Sequence, residues 1–205
     1  MNGNNIFFSD LNHELLIPLH KESDIFLWKK WQSNPSQARY LVEIFIRYHK
    51  LINDSQENDI DKVTLDKYYK QIWFYIIDNL LGYPISKDTI LRDVIFTLSK
   101  NFFQEHNVIY KSFYLSSIDY DLLKKYIPLI YFLNKSLNKL NSLERLTIVA
   151  IDKFGWQEEK LIEYLRQHQQ NLTIPELKSY YTKGYSNLIN NLPTDIIAIY
   201  LQNDD

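Results

Sequence analysis

From Asp24 onward, apolar residues recur at steps of three and four, the spacing that lines one face of an α-helix. Asp24, an acidic cap candidate, opens a segment carrying Ile25, Trp28 and Trp31, which Asn34 and Pro35 end. Ser36 stands as the cap of a longer helix whose stripe is Leu41, Ile44, Phe45, Tyr48 and Ile52, and the polar run Asn53 to Asp61 reads as a loop. The next helix is predicted from Thr64 to Leu80, with Tyr69, Trp73, Ile76 and Leu80 inward and Gly82 and Pro84 as its terminator. Ser86 opens another, in which Leu91, Val94, Ile95, Leu98 and Phe102 repeat the stripe to Glu105. Residues 1–23 carry only short apolar clusters and read as an extension that packs loosely or frays.

Between Asn107 and Tyr126 the period blurs, which marks an inter-domain connection. Pro128 fits the first turn of a helix running to Leu140. Asn141 with Glu144 forms a capping box before the stripe Leu143, Leu146, Ala150 and Phe154, and Gly155 ends it. A short helix follows from Trp156 to Arg166, then a polar stretch from Gln167 to Asn171. The run Thr173-Ile174-Pro175-Glu176 is the clearest helix start in the chain: Thr caps, Pro occupies the first turn, and Glu sits three residues past the cap. That helix reaches Pro193, and a last turn or two spans Asp195 to Leu201. No segment alternates with the period of a strand. The expected fold class is all-α, with an extension at 1–23, a helical domain at 24–106, a linker at 107–126 and a second helical domain at 127–205.

Composition narrows the functional classes. The chain has 205 residues, 45% of them hydrophobic and only 4 Gly and 6 Pro, so it can bury a core and is not a disordered segment. Zero Cys removes disulfides, thiolate zinc sites, iron–sulfur clusters and Cys nucleophiles together. The longest apolar run, Tyr126 to Leu133, is far short of the ~20 residues needed to cross a bilayer. The amino terminus has neither a basic flank nor a small-residue cleavage site, so a cytoplasmic protein without a membrane association is expected. His13, His20, His49, His106 and His168 lie far apart without metal-helix spacing, and four glycines cannot supply a phosphate loop. Glu159 and Glu163 sit beside Lys160 and Arg166, which fits a solvated ion-pair face better than a general acid and base. No metal, no cofactor and no enzymatic activity are expected.

Two patterns bear on binding. The stretch Leu140 to Leu192 has the order of a helix-turn-helix unit, whose last helix enters the major groove and reads base edges with its first turns. An ordinary orthogonal bundle has the same order. On a wheel anchored by Ile174 and Leu177, the outward face of the last long helix shows Glu176, Ser179, Lys183, Asn187 and Asn190, flanked by Lys178 and Tyr180, with Thr173 at its start. Lysines suit phosphates and Asn pairs with adenine, although such a face also suits plain solvent. Trp28, Trp31 and Trp73 either stack unpaired bases, at ~1 to 3 kcal/mol each, or fill the core. Charge speaks against nucleic acid: 23 Lys+Arg face 25 Asp+Glu overall, and 127–205 carries 8 basic against 9 acidic residues, a net of minus one that is poor for binding a phosphate backbone.

Leu137, Leu140, Glu144-Arg145-Leu146, Phe154-Gly155-Trp156, Lys160-Leu161-Ile162, Leu165, Leu177-Lys178, Lys183-Gly184, Leu188 and Leu192, in that order and spacing, resemble the promoter-reading domain of sigma-70 family sigma factors. The helices at 36–52, 64–80 and 86–105, with Trp73 in the middle one, are similar in order and length to the polymerase-binding, promoter-melting domain of small sigma factors. The resemblance covers about Asp24 to Leu201. It implies a transcription protein that docks on RNA polymerase core, or on a transcription regulator, and holds its last long helix near promoter DNA. By the same resemblance Asp66, Lys70 and Gln71 fall in the polymerase-docking stretch, and Thr173, Glu176, Lys178, Ser179, Tyr180, Lys183 and Asn187 fall on DNA. Two departures stand out: the docking stretch, Asp66 to Trp73, has one acid where the family has an acidic patch, and the turn Arg166 to Leu172 is longer than the family's. A sigma-like adaptor or antagonist that binds protein without reading DNA is the alternative.

Overall fold

The computed structural model describes residues 13–54, 62–105 and 124–202, and these are helical with no strand among them. After a 3-10 turn at Ile17–Lys21 come α1 (Asp24–Ser33), α2 (Arg39–Tyr48), the single turn α3 (Leu51–Asp54), α4 (Lys62–Gly82) and α5 (Leu91–Glu105). There follow α6 (Ile127–Lys139), α7 (Ser142–Ile148), a π-helical turn (Val149–Lys153), α8 (Glu158–Gln167), α9 (Ile174–Asn190) and α10 (Thr194–Leu201). The connection expected at 107–126 and the loop at 53–61 fall largely outside the described residues, although Asn53 and Asp54 belong to α3.

The described residues form two compact units, one ending at Ile130 and joined by α10, the other spanning Tyr131–Pro193. In the first unit α1 packs on α2 and on α4, and α4 packs on α5. Its core includes Trp28, Trp31, Phe45, Ile72, Trp73 and Ile76, each at most 1% exposed. Trp28, Trp31 and Trp73 therefore fill the core, and none of the three offers a free face to a base. Trp28 Nε1 donates to the carbonyl of Leu80 at 2.9 Å, and Gln32 Nε2 donates to Leu80 at 2.7 Å and Tyr83 at 2.9 Å. One face of α1 thus satisfies carbonyls that the end of α4 leaves without intrahelical donors. Phe45 meets Trp73 edge-on with ring centroids 4.9 Å apart. The indole N–H groups of Trp31 and Trp73 are buried without an acceptor among the described residues.

Residues 13–23 are more firmly held than an extension that frays. Leu16 is fully buried and Leu19 nearly so. Arg47 explains why: its guanidinium donates to the carbonyls of Leu19 and Glu22 at 2.8 and 2.9 Å, and also to Asp24 and to buried Glu43 at 2.7 and 2.8 Å. Glu43 in turn holds His20 at 3.0 Å. These charge-assisted bonds fix a turn that the sequence pattern leaves featureless.

Several helix starts differ from their sequence-based expectations. Ser23, not Asp24, caps α1, its hydroxyl accepting from the N–H of Phe26. Ser36 caps nothing, since its hydroxyl bonds to Asn34, and α2 begins at Arg39. Ser86 turns back on Thr89, which delays α5 to Leu91. The cap of α2 comes from α10: the carboxylate of Asp195 accepts from the backbone N–H of Arg39 at 3.1 Å. Consequently α10 belongs to the first unit, not to the second as the sequence division had it.

Candidate nucleic-acid interface

The second unit is organised around the contact between α7 and α9. Asn141 caps α7, its side chain accepting from the N–H of Glu144 at 2.9 Å. The Glu144 side chain does not return to complete the expected box. It is only 2% exposed and turns to α9, where Asn187 Nδ2 donates to both carboxylate oxygens at 3.1 Å and Lys183 Nζ stands 4.0 Å away. Gly184 lies one step from this group, and a Cβ there would meet Ile148 Cδ1 at 3.0 Å and Glu144 Cβ at 3.2 Å. Glycine therefore permits the close approach that brings Asn187 to Glu144.

The chain then prepares α9 in stages. After the π-helical turn, Gly155 takes φ +62° and leads to α8. At the far end of α8, Gln169 adopts φ +61°, while the N–H of Gln170 reaches the carbonyl of Leu165 at 2.9 Å and that of Gln169 reaches Arg166 at 3.1 Å. These paired bonds are a Schellman cap with Gln where Gly is usual. The predicted capping box at Thr173 is present in full: Glu176 N donates to Thr173 Oγ1 at 3.4 Å, and the Glu176 carboxylate accepts from Thr173 N at 2.8 Å. Those bonds hold the Glu176 carboxyl below its ordinary value.

Along α9 the buried residues are Leu177, Gly184 and Leu188, and the remainder is exposed or half-buried. Ile174, used as a sequence anchor, is 36% exposed, so the buried line is centred away from it. The outward face consequently carries Ser179, Thr182, Ser186 and Asn190, all exposed, between the exposed lysines 178 and 183. Asn187 and Tyr180 are half-buried, and Asn187 is engaged with Glu144. Thr173 and Glu176 are exposed but spend their polar atoms on each other. The wheel anchored on Ile174 leaves Thr182 and Ser186 off this face; the signal that places them on it is Gly184, whose missing side chain marks the packed side of the helix. Lys178 reaches Glu158 at 3.4 Å. On the same flank the hydroxyls of Tyr181 and Tyr185 both donate to Asp152, at 2.9 and 2.5 Å, which raises both phenols above their ordinary value. Within Tyr131–Pro193, 8 Lys+Arg stand against 6 Asp+Glu, because Asp195, Asp204 and Asp205 lie beyond it.

In the first unit Asp66, Lys70 and Gln71 come together on α4 at the edge of a cleft of about 210 Å³, which Lys67, Tyr69, Lys124, Ile127 and Ile130 also line. Asp66 pairs with Lys124 at 2.8 Å, while Lys70 and Gln71 are exposed. Among the described residues no group of three or more His, Asp or Glu is placed to hold a metal ion, and no helix is long and apolar enough to cross a membrane. No protein-family model, curated protein or solved structure matches the chain.

Proposed function

We propose that the chain is a sigma-factor-like transcription protein of the cytoplasm, which associates with RNA polymerase and holds α9 near promoter DNA. One observation carries this reading: the outward face of α9 offers Ser179, Thr182, Ser186 and Asn190 between two lysines whose side chains are 63% and 67% exposed. Hydroxyls and amides of this kind contact phosphates and base edges, and lysines supply counterion release. The excess of basic residues in the second unit works in the same direction. The test is to pull down core RNA polymerase with the tagged full chain and to measure promoter binding from ~50 to ~200 mM salt, over which a DNA reader loses affinity steeply. Charge reversal of Lys178 and Lys183 abolishes DNA binding if the reading holds.

A second reading, a sigma-like adaptor that binds protein and not DNA, is favoured by the partners of those lysines. Lys178 is drawn to Glu158, and Lys183 lies at the edge of the Glu144 site, so part of their charge is already answered. Under this reading polymerase or a regulator is captured while no promoter binds even at ~50 mM salt.

A further inference from the structure

We infer that the cleft beside α4 receives an acidic protein segment that carries one large apolar side chain between carboxylates. The inference rests on the docking half of the reading above, because it places a protein partner on Asp66, Lys70 and Gln71, and it names the chemistry of that partner. Tyr69, Ile127 and Ile130 give the cleft apolar walls, and at about 210 Å³ it takes a side chain. Sites for drug-sized molecules and cofactors typically occupy ~300 to 1,000 Å³, so the cleft is on the scale of a side chain more than of such a molecule. The rim is cationic. Lys124 is tied to the wall by Asp66 and lies 5.2 Å from the ring centroid of Tyr69. Lys67 and Lys70, three residues apart on one helical face, are exposed. Among the described residues that line it, three lysines stand against the carboxylate of Asp66, which leaves a net positive mouth over an apolar slot. Carboxylates beside an apolar anchor complement both features. A nucleic-acid backbone matches the charge but brings no aliphatic group to fill the slot.

The experiment uses the full chain and fluorescein-labelled pentapeptides read by anisotropy, up to ~1 mM protein. The probes are Glu-Asp-Leu-Glu-Asp, its Ser-centred analogue, and a labelled oligothymidylate. The expected result is binding of the Leu peptide, about tenfold weaker binding of the Ser peptide, and loss of about tenfold on Lys67→Glu/Lys70→Glu. Both substitutions are at exposed positions, and circular dichroism confirms that the variant is folded. In the reversed variant, Lys-Lys-Leu-Lys-Lys binds in place of the acidic peptide. No binding of the Leu peptide, equal binding of the Ser peptide, an unaffected double variant, or oligothymidylate binding as tightly as the Leu peptide each overturns the inference. Polymerase captured equally by wild type and double variant overturns it while leaving the transcription reading intact. Peptide binding without polymerase capture does the reverse.

Discussion

Asp195 accepts three hydrogen bonds from Arg39, one from its backbone N–H at 3.1 Å and two from its guanidinium at 2.9 and 2.8 Å, across 156 positions of sequence. The carboxylate is 5% exposed, so α2 gains a cap, a neutralising charge and a tie to α10 from one residue. Removing the arginine leaves a buried acid unanswered, which costs ~3 to 5 kcal/mol. Because a third of the Arg39 side chain is exposed, Arg39→Met is expected to destabilise the protein by about 3 kcal/mol, at the low end of that range. The urea midpoint measures it, and a shift under about 0.5 kcal/mol, the size of an ordinary surface change, rejects the assignment.

Gly184 sets the distance between α7 and α9. Gly184→Leu is expected to force the helices apart and to destabilise by about 1 to 3 kcal/mol despite the better helix propensity of Leu. A thermal melt that rises instead shows the crossing to be looser than described.

The pair Glu144–Asn187 predicts an energetic coupling. A double-mutant cycle with Glu144→Leu and Asn187→Leu is expected to return about 1.5 to 3 kcal/mol, the range of hydrogen bonds to a charged group. Additive single effects show that the two side chains do not hold each other energetically.

Left-handed backbone at Gly155 and Gln169 makes two substitutions move in opposite directions. Gly155→Ala is expected to cost about 1 kcal/mol even though open space surrounds a Cβ there. Gln169→Gly is expected to stabilise by about 0.5 to 1 kcal/mol, since the αL penalty of Gln exceeds the added chain entropy of Gly. Melting temperatures of the two variants decide the signs.

The capping box confers a pH dependence. The folded carboxyl of Glu176 lies below the ordinary 4.5, so its contribution is complete above that value and is lost as pH falls through the lower, folded one. Wild type is expected to melt above Glu176→Gln at neutral pH, and the gap to close as pH drops below 4.5. A gap that persists unchanged into acid means the carboxylate charge is idle.

What the sequence carried openly was local. The stripes of α4 and α5, the Pro128 helix, the turn at Gly155 and the box at Thr173 are each written within a few residues, and each is present, whereas the helix expected over 36–52 is divided, with Leu41, Ile44, Phe45 and Tyr48 in α2 and Ile52 in α3. What it hid was long-range. Nothing beside Ala38 announces that its missing cap is supplied by Asp195, and nothing beside Leu16 announces that Arg47 will hold that turn. Glu144 shows the same limit: three residues past a cap it reads as a local reciprocal partner, yet α9 offers it a better one in Asn187. The α9 face was read with Ile174 inward because an isoleucine in the first turn looks like core, whereas the packing is decided further along at Gly184.

The division of the chain into its two units has a consequence for synthesis. The polypeptide leaves the first unit at Ile130 and re-enters it at Thr194. A ribosome therefore releases every residue of Tyr131–Pro193 before it delivers α10. The later stretch is the earlier to be complete, inverting the usual amino-terminal-first order of maturation, and Arg39 waits for its counter-ion until Asp195 in α10 emerges 156 positions later.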